Sequence, residues 1–305
     1  MFNRLPRPLG GPDASRSLDR DEGNASNART SQLGPDEAFG HGRRTLDLFS
    51  GSGIAEDDQA PPSPLAQPFT PAELDDAALL GTIPTAGIAQ GPALAAEVGR
   101  RQLAAAIPVL EDYCRRFTGF GTEHALPEQI AALDALAAIG GPDAAHAVVR
   151  IISSAWVQGP TLTRAVAVAA RLRSRLPGAI VLTLLRHANP VIRADACRLA
   201  RPGPDVIVTL TDLLGDLHRH VSMAAACALG RMGRPEARPL LKQALREAPS
   251  PPVIEAVPPV ADEECVVLLG RLASASSELS AAALDALEAI QHPLAERLSA
   301  RLRDA

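Results

Sequence analysis

The sequence predicts an all-α fold, an α-solenoid of about six stacked helical hairpins behind a disordered N-terminal segment, and three observations carry that prediction. The composition is helix-forming: 46% of the 305 residues are hydrophobic but only 3% are aromatic, so the core has to be built from Ala, Leu, Val and Ile, of which Ala and Leu favour helix. A motif recurs beyond residue 127 at a step of about 30 residues. A sharp change of character near residue 70 separates this helical text from what precedes it.

Residues 1–70 are rich in Gly, Pro, Ser, Asn and Asp without sustained periodicity, the composition of a segment whose burial cannot offset its ordering entropy. They are expected to be disordered. Apolar residues cluster there only in Arg43-Arg-Thr-Leu-Asp-Leu-Phe49, a candidate for a short docking helix against the plainer reading of a fluctuating cluster in a linker. From Pro71 the text turns Ala- and Leu-rich, with helices expected near 72–81, 92–104 and 106–117, so 71–126 reads as a helical cap or a degenerate first repeat.

The repeats occupy 127–305. Ala132-Leu-Asp-Ala-Leu-Ala-Ala-Ile139, Ala194-Asp-Ala-Cys-Arg-Leu-Ala200, Ala224-Ala-Ala-Cys-Ala-Leu-Gly230 and Ala282-Ala-Leu-Asp-Ala-Leu-Glu288 superpose on Leu136, Leu199, Leu229 and Leu287, with separations of 63, 30 and 58 residues. Those are two, one and two steps, and the skipped steps fall on the weaker copies Arg164-Ala-Val-Ala-Val-Ala-Ala-Arg171 and Val253-Ile-Glu-Ala-Val257. A Gly/Pro/Asp turn follows each copy, for example Gly140-Gly-Pro-Asp143 and Gly233-Arg-Pro-Glu236, and then a second apolar stretch at helical spacing, such as Leu241 and Leu245 or Leu294, Leu298 and Leu302. Short helices with small Ala at the contact positions allow close packing into stacked pairs.

This pattern resembles the HEAT repeat family in its short bacterial form, the HEAT-like or lyase-type repeat. The resemblance is strongest in Asn189-Pro-Val-Ile-Arg-Ala-Asp-Ala-Cys197 and in Val221-Ser-Met-Ala-Ala-Ala-Cys-Ala-Leu-Gly-Arg-Met-Gly-Arg-Pro-Glu236. It implies an acidic residue before each first helix and an Arg within it that ties neighbouring repeats; Arg193 fills the Arg place, and Met223 replaces it one repeat later. Pro258 and Pro259 interrupt the first helix of the fifth repeat, where looser or kinked stacking is expected.

No catalytic constellation stands out. His218-Arg-His220 with His187 is the densest histidine group, but ligands two residues apart do not share a helix face, and a polar turn with one His at a helix end accounts for them. Cys114, Cys197, Cys227 and Cys265 lie far apart without a CxxC pair and are expected reduced and buried; Cys197 and Cys227, one step apart, would sit on neighbouring first helices as small apolar packing. No Gly-rich phosphate loop, GxSxG elbow or paired-carboxylate signature is present. No cofactor and no metal are expected. A HEAT-like di-iron hydroxylase would display His-Glu pairs, and the chain has no His-Glu dipeptide. A HEAT-like DNA glycosylase would need aromatic walls and a basic groove, and no aromatic residue follows Trp156.

Charge supplies the remaining signal. The net charge of −5 disfavours nucleic acid as a partner, since its footprint is a Lys/Arg excess. Yet between Arg164 and Arg201 eight arginines, Arg164, Arg171, Arg173, Arg175, Arg186, Arg193, Arg198 and Arg201, face one acid, Asp195. Stacked repeats would bring several guanidinium groups to one side, where their fields add; the plainer reading is a solvated helix face. An acidic protein surface would fit such a patch, and so would the chain's own Glu56-Asp-Asp58 and Asp75-Asp76. No apolar stretch approaches the roughly 20 residues that span a bilayer, and the N-terminus lacks a secretion signal, so a cytoplasmic location is expected.

The function expected is that of a non-enzymatic protein-binding scaffold or adaptor using the solenoid surface. Two alternatives come from other classes: an enzyme or enzyme subunit similar to the HEAT-like bilin lyases, weakened by the shortage of rings to hold a tetrapyrrole, and nucleic-acid binding through the Arg patch.

Overall fold

Proline, 27 residues of the chain, would break helices if it fell inside them, but here it starts them. Its missing N–H is an orphan in the first turn anyway, and its fixed φ is already helical. A computed structural model describes residues 70–120, 123–275 and 277–303, all within the compact unit Pro62–Ala305. The expected disordered segment, up to residue 69, lies outside the described residues, as do the candidate docking stretch Arg43–Phe49 and the acidic Glu56–Asp58.

The described residues form helices and no strand. The helices are α1 (Asp76–Thr82), α2 (Gly91–Arg101), α3 (Ile107–Arg116), α4 (Pro127–Ile139), α5 (Gly141–Ser153), α6 (Gly159–Arg171), α7 (Gly178–Leu185), α8 (Pro190–Leu199), α9 (Pro204–Leu213), α10 (Arg219–Arg231), α11 (Arg238–Glu247), α12 (Pro251–Ala256), α13 (Glu263–Ser274), α14 (Ser280–Glu288) and α15 (Pro293–Arg303). Pro127, Pro190, Pro204, Pro251 and Pro293 are the first residues of their helices. Three later starts in the array are capped by side chains: Asn189 accepts from the Val191 N–H at 2.9 Å, Asp262 from the Cys265 N–H at 3.1 Å and His292 Nδ1 from the Leu294 N–H at 3.1 Å, each satisfying a donor that the helix leaves free.

From α4 onward the pairs α4/α5, α6/α7, α8/α9, α10/α11, α12/α13 and α14/α15 are the six expected repeats. The first helices form one continuous row in which α4, α6, α8, α10, α12 and α14 pack in succession, and each second helix also packs on the next first helix. The pair α2/α3 extends this row at its start, α2 lying against α4 and α3 against α5. The interrupted fifth repeat is as expected: α12 is short and gives way to a 3-10 turn at Pro258–Val260.

Small residues set the spacing within that row. Ala132, Ala165, Ala169, Ala196, Ala225, Ala226 and Ala283 are fully buried, while Leu185, Leu210, Leu229, Leu241, Leu269 and Leu287 fill the space between the layers. Two glycines mark close backbone approaches along the row. A Cβ on Gly99 of α2 would lie 2.8 Å from the Ala135 Cα of α4, and one on Gly230 of α10 would lie 2.5 Å from the Ala256 carbonyl oxygen of α12. All four cysteines are free and buried, and burial pushes the Cys114 and Cys197 thiols up to about 12. Among the described residues no helix is long and apolar enough to cross a membrane.

Candidate functional site

The site is built from the ends of first helices. In α6 the last turn closes with the Ser174 N–H donating to the Ala169 carbonyl at 2.9 Å and the Arg173 N–H to Ala170 at 3.2 Å, a closure that places Arg173 in the left-handed region at φ 51°. The matching residues of α2, α4 and α10 are Gln102 at 54°, Gly140 at 69° and Gly233 at 71°. Glycine is favoured there because a Cβ is crowded at positive φ, so an arginine at this point of the repeat is held against its backbone preference.

Next to Arg173, the C-terminal ends of α8 and α10 complete a cleft of about 500 Å³. Arg173, Arg198, Arg201 and Arg231 line it, with Ser174, Met232 and a single acid, Glu255 of α12. Arg173, Arg201 and Arg231 are exposed, and their guanidinium groups make no hydrogen bond or ion pair among the described residues. Arg198 donates through Nη1 to Asp195 Oδ1 at 2.6 Å. Asp195 is itself buried, and burial raises its carboxyl above the usual range against the pull of Arg198. Ser174 is buried, and its Oγ has no hydrogen-bond partner. A second hollow of about 260 Å³ adjoins the cleft, sharing Leu199, Arg201 and Pro202 and otherwise walled by Leu176, Gly178, Val181, Gly203 and Val206.

The other arginines of the Arg164–Arg201 stretch go elsewhere. Arg164 of α6 donates from Nε to Asp134 of α4 at 2.5 Å. Arg186 donates to the Thr209 hydroxyl at 3.2 Å. Arg193 is largely buried and forks onto Asp216 at 2.9 and 3.0 Å, while its Nη1 donates to the carbonyls of His187 and Ala188. Burial raises the Asp216 carboxyl, but the His218 N–H and Arg193 outweigh it and leave it below the usual range. Arg193 thus ties the loop before α8 to the loop before α10. Arg171 and Arg175 are exposed and unpaired among the described residues but do not line the cleft.

The seven-charge surplus of the sequence is therefore not one face. Asp134 and Asp216, outside the tallied stretch, each neutralise one member, because the spatial neighbours of a repeat come from the repeats on either side. In the opposite direction, Arg231 and Ser174 belong to the cleft and were not anticipated. A signal for Arg231 existed, since it lies one 30-residue step beyond Arg201; Ser174 had none.

The remaining candidates are structural in their contacts. His187 Nδ1 accepts from the Asn189 N–H at 3.0 Å, and His218 Nδ1 lies 3.3 Å from Asp216 Oδ1. Among the described residues no three His, Cys, Asp or Glu side chains group as a metal site. Asp75 caps α1 and Asp76 pairs with Arg101 at 2.9 Å, so neither carboxylate serves the Arg cleft.

Residues 179–257 match the family model of HEAT repeats. That match runs from the first turn of α7 through α12 and so includes the α8 and α10 ends of the cleft. No curated protein matches the chain.

Proposed function

Because the chain carries HEAT repeats, a repeat type that commonly mediates protein interactions, we propose that it is a non-enzymatic protein-binding scaffold or adaptor whose Arg-rich surface receives an acidic partner. The observation that supports this reading is the convergence of Arg173, Arg198, Arg201 and Arg231 on one cleft opposed by Glu255 alone. Three of the four have no partner among the described residues, and arginine is suited to meet a carboxylate or phosphate by a two-point fork. Exposed Arg171 and Arg175 extend the positive field beside it.

The test is affinity capture with the intact chain and with the triple variant Arg173→Gln, Arg201→Gln, Arg231→Gln. None of these side chains makes an ion pair, so the variant should melt within a few degrees of the native protein. A protein partner retained by the native chain and lost by the folded variant supports the reading. Equal retention by both contradicts it, and capture of nucleic acid by the native chain would favour that class instead.

A further inference from the structure

We propose that the cleft is a receptor for one phosphoryl group carried on a side chain of the protein partner, and that the adjoining apolar hollow takes the neighbouring side chain. This rests on the acidic-partner reading above and narrows it.

The first support is donor number. Four guanidinium groups line one cleft, and Arg198 spends only Nη1 on Asp195. A carboxylate offers two oxygens to such an array, whereas a phosphate monoester offers three and close to two negative charges near neutral pH.

The second is Ser174. Its hydroxyl is buried at the cleft wall, with 4% of the residue exposed, and has no hydrogen-bond partner. An unsatisfied buried hydroxyl costs stability; a phosphoryl oxygen would supply the missing acceptor once a side-chain turn or a small opening of the wall brings the hydroxyl to the cleft.

The third is Arg173. It keeps a guanidinium at φ 51°, the place in the repeat that Gly140 and Gly233 fill elsewhere and Gln102 fills in α2, so the cleft holds its charge at a backbone cost that a glycine would avoid.

The hollow shared at Arg201 adds direction. Its walls are Leu176, Val181, Leu199 and Val206, so a residue beside the phosphorylated one would be apolar. The lining of the cleft contains no aromatic ring on which a base could stack, which favours a peptide over a nucleic acid.

The experiment uses the full chain and fluorescence anisotropy with labelled ten-residue peptides. The reference is an otherwise neutral peptide with a central phosphoserine followed by leucine. Its companions carry serine in place of phosphoserine, aspartate in place of phosphoserine, or glycine in place of leucine. Binding should be at least about tenfold tighter for the phosphopeptide than for the serine peptide and about fivefold tighter than for the aspartate peptide. Loss of the leucine should weaken it about fivefold, as for one modest apolar contact. Arg201→Gln should weaken it about tenfold with unchanged melting, and Ser174→Ala about threefold with melting unchanged or raised, since it removes an unsatisfied buried hydroxyl.

Equal binding of the aspartate and phosphoserine peptides, both lost in Arg201→Gln, would overturn the phosphoryl assignment and leave the acidic-partner reading standing. No peptide binding, alongside a captured partner that still needs the three arginines, would do the same. No binding and no arginine-dependent partner would overturn both. A ten-nucleotide single strand that displaces the phosphopeptide at equal concentration would overturn the choice of a protein ligand.

Discussion

The first helix at the start of the array and those in its middle carry an arginine at the same place and use it in opposite ways. Arg100 of α2 corresponds to Arg171, Arg201 and Arg231, two residues past the repeated apolar position. At the start, Glu97 lies one turn earlier and takes Arg100 at 2.8 and 2.7 Å and Arg101 at 2.6 Å, while Arg101 also reaches Asp76. Those hydrogen bonds hold the Glu97 carboxyl down at about 2. In the middle, the residue one turn earlier is Val168, Arg198 or Ala228, and the arginines stay unpaired among the described residues. One side chain a helical turn back decides whether this arginine is a strut or a group available to a partner.

The comparison requires that the two regions share one architecture, and the glycines test that with the largest expected effect. Gly230→Ala should cost about 2 to 3 kcal/mol in urea unfolding, because its Cβ would press on backbone and the helices would have to separate. Gly99→Ala should cost about 2 kcal/mol for the same reason. If either substitution is neutral, the two helix ends are not equivalent and the comparison breaks.

Arg193→Gln comes next. It leaves Asp216 buried without its fork and should destabilise the protein by about 2 kcal/mol, while acidic-peptide binding by the folded fraction stays unchanged. Loss of binding would return Arg193 to the partner surface.

Arg173→Gly separates stability from function. Relief of positive φ should raise stability by about 0.5 to 1 kcal/mol, and removal of a cleft guanidinium should weaken acidic-peptide binding about threefold. A gain without a loss would show that Arg173 is idle.

The smallest effects are in acid. The folded value of Glu97 lies below its unfolded one, so its contribution is complete above the unfolded value near pH 4.3 and is lost as pH falls through about 2. Asp195 has the opposite sign: its folded value is raised by burial, so protonation favours the folded state as pH falls through that value. In urea melts at pH 7, 4 and 2.5, Glu97→Gln should flatten the acid loss of stability and Asp195→Asn should steepen it.

The fold was legible because it is repetitive. Ala-rich first helices, turn residues at a constant step and prolines at helix starts all point the same way, and each of the six pairs in 127–305 follows. The pair α2/α3 was harder to read. Gln102 stands where the repeat elsewhere ends on Gly140 or Gly233, so the turn lost its usual marker although the backbone there is still left-handed. The site was legible only in part. A tally along a contiguous stretch counts charges that are adjacent in sequence, but Arg164 meets Asp134 thirty residues away and Arg193 meets Asp216 across a repeat. The same step that hides those pairs adds Arg231 to the cleft. Reading charges by repeat position, not by window, would have found most of it; the unpartnered Ser174 hydroxyl depends on packing and has no sequence mark.

The central claim is that unpaired arginines, not the number of arginines, make the binding surface. The most direct measurement is the anisotropy of a labelled ten-residue oligoglutamate peptide titrated with the native chain, with Arg201→Gln and with Arg100→Gln, which remove the same charge from the same repeat position. The account predicts about tenfold weaker binding for Arg201→Gln and native binding for Arg100→Gln. Equal losses in the two variants would contradict it, since binding would then follow total charge alone.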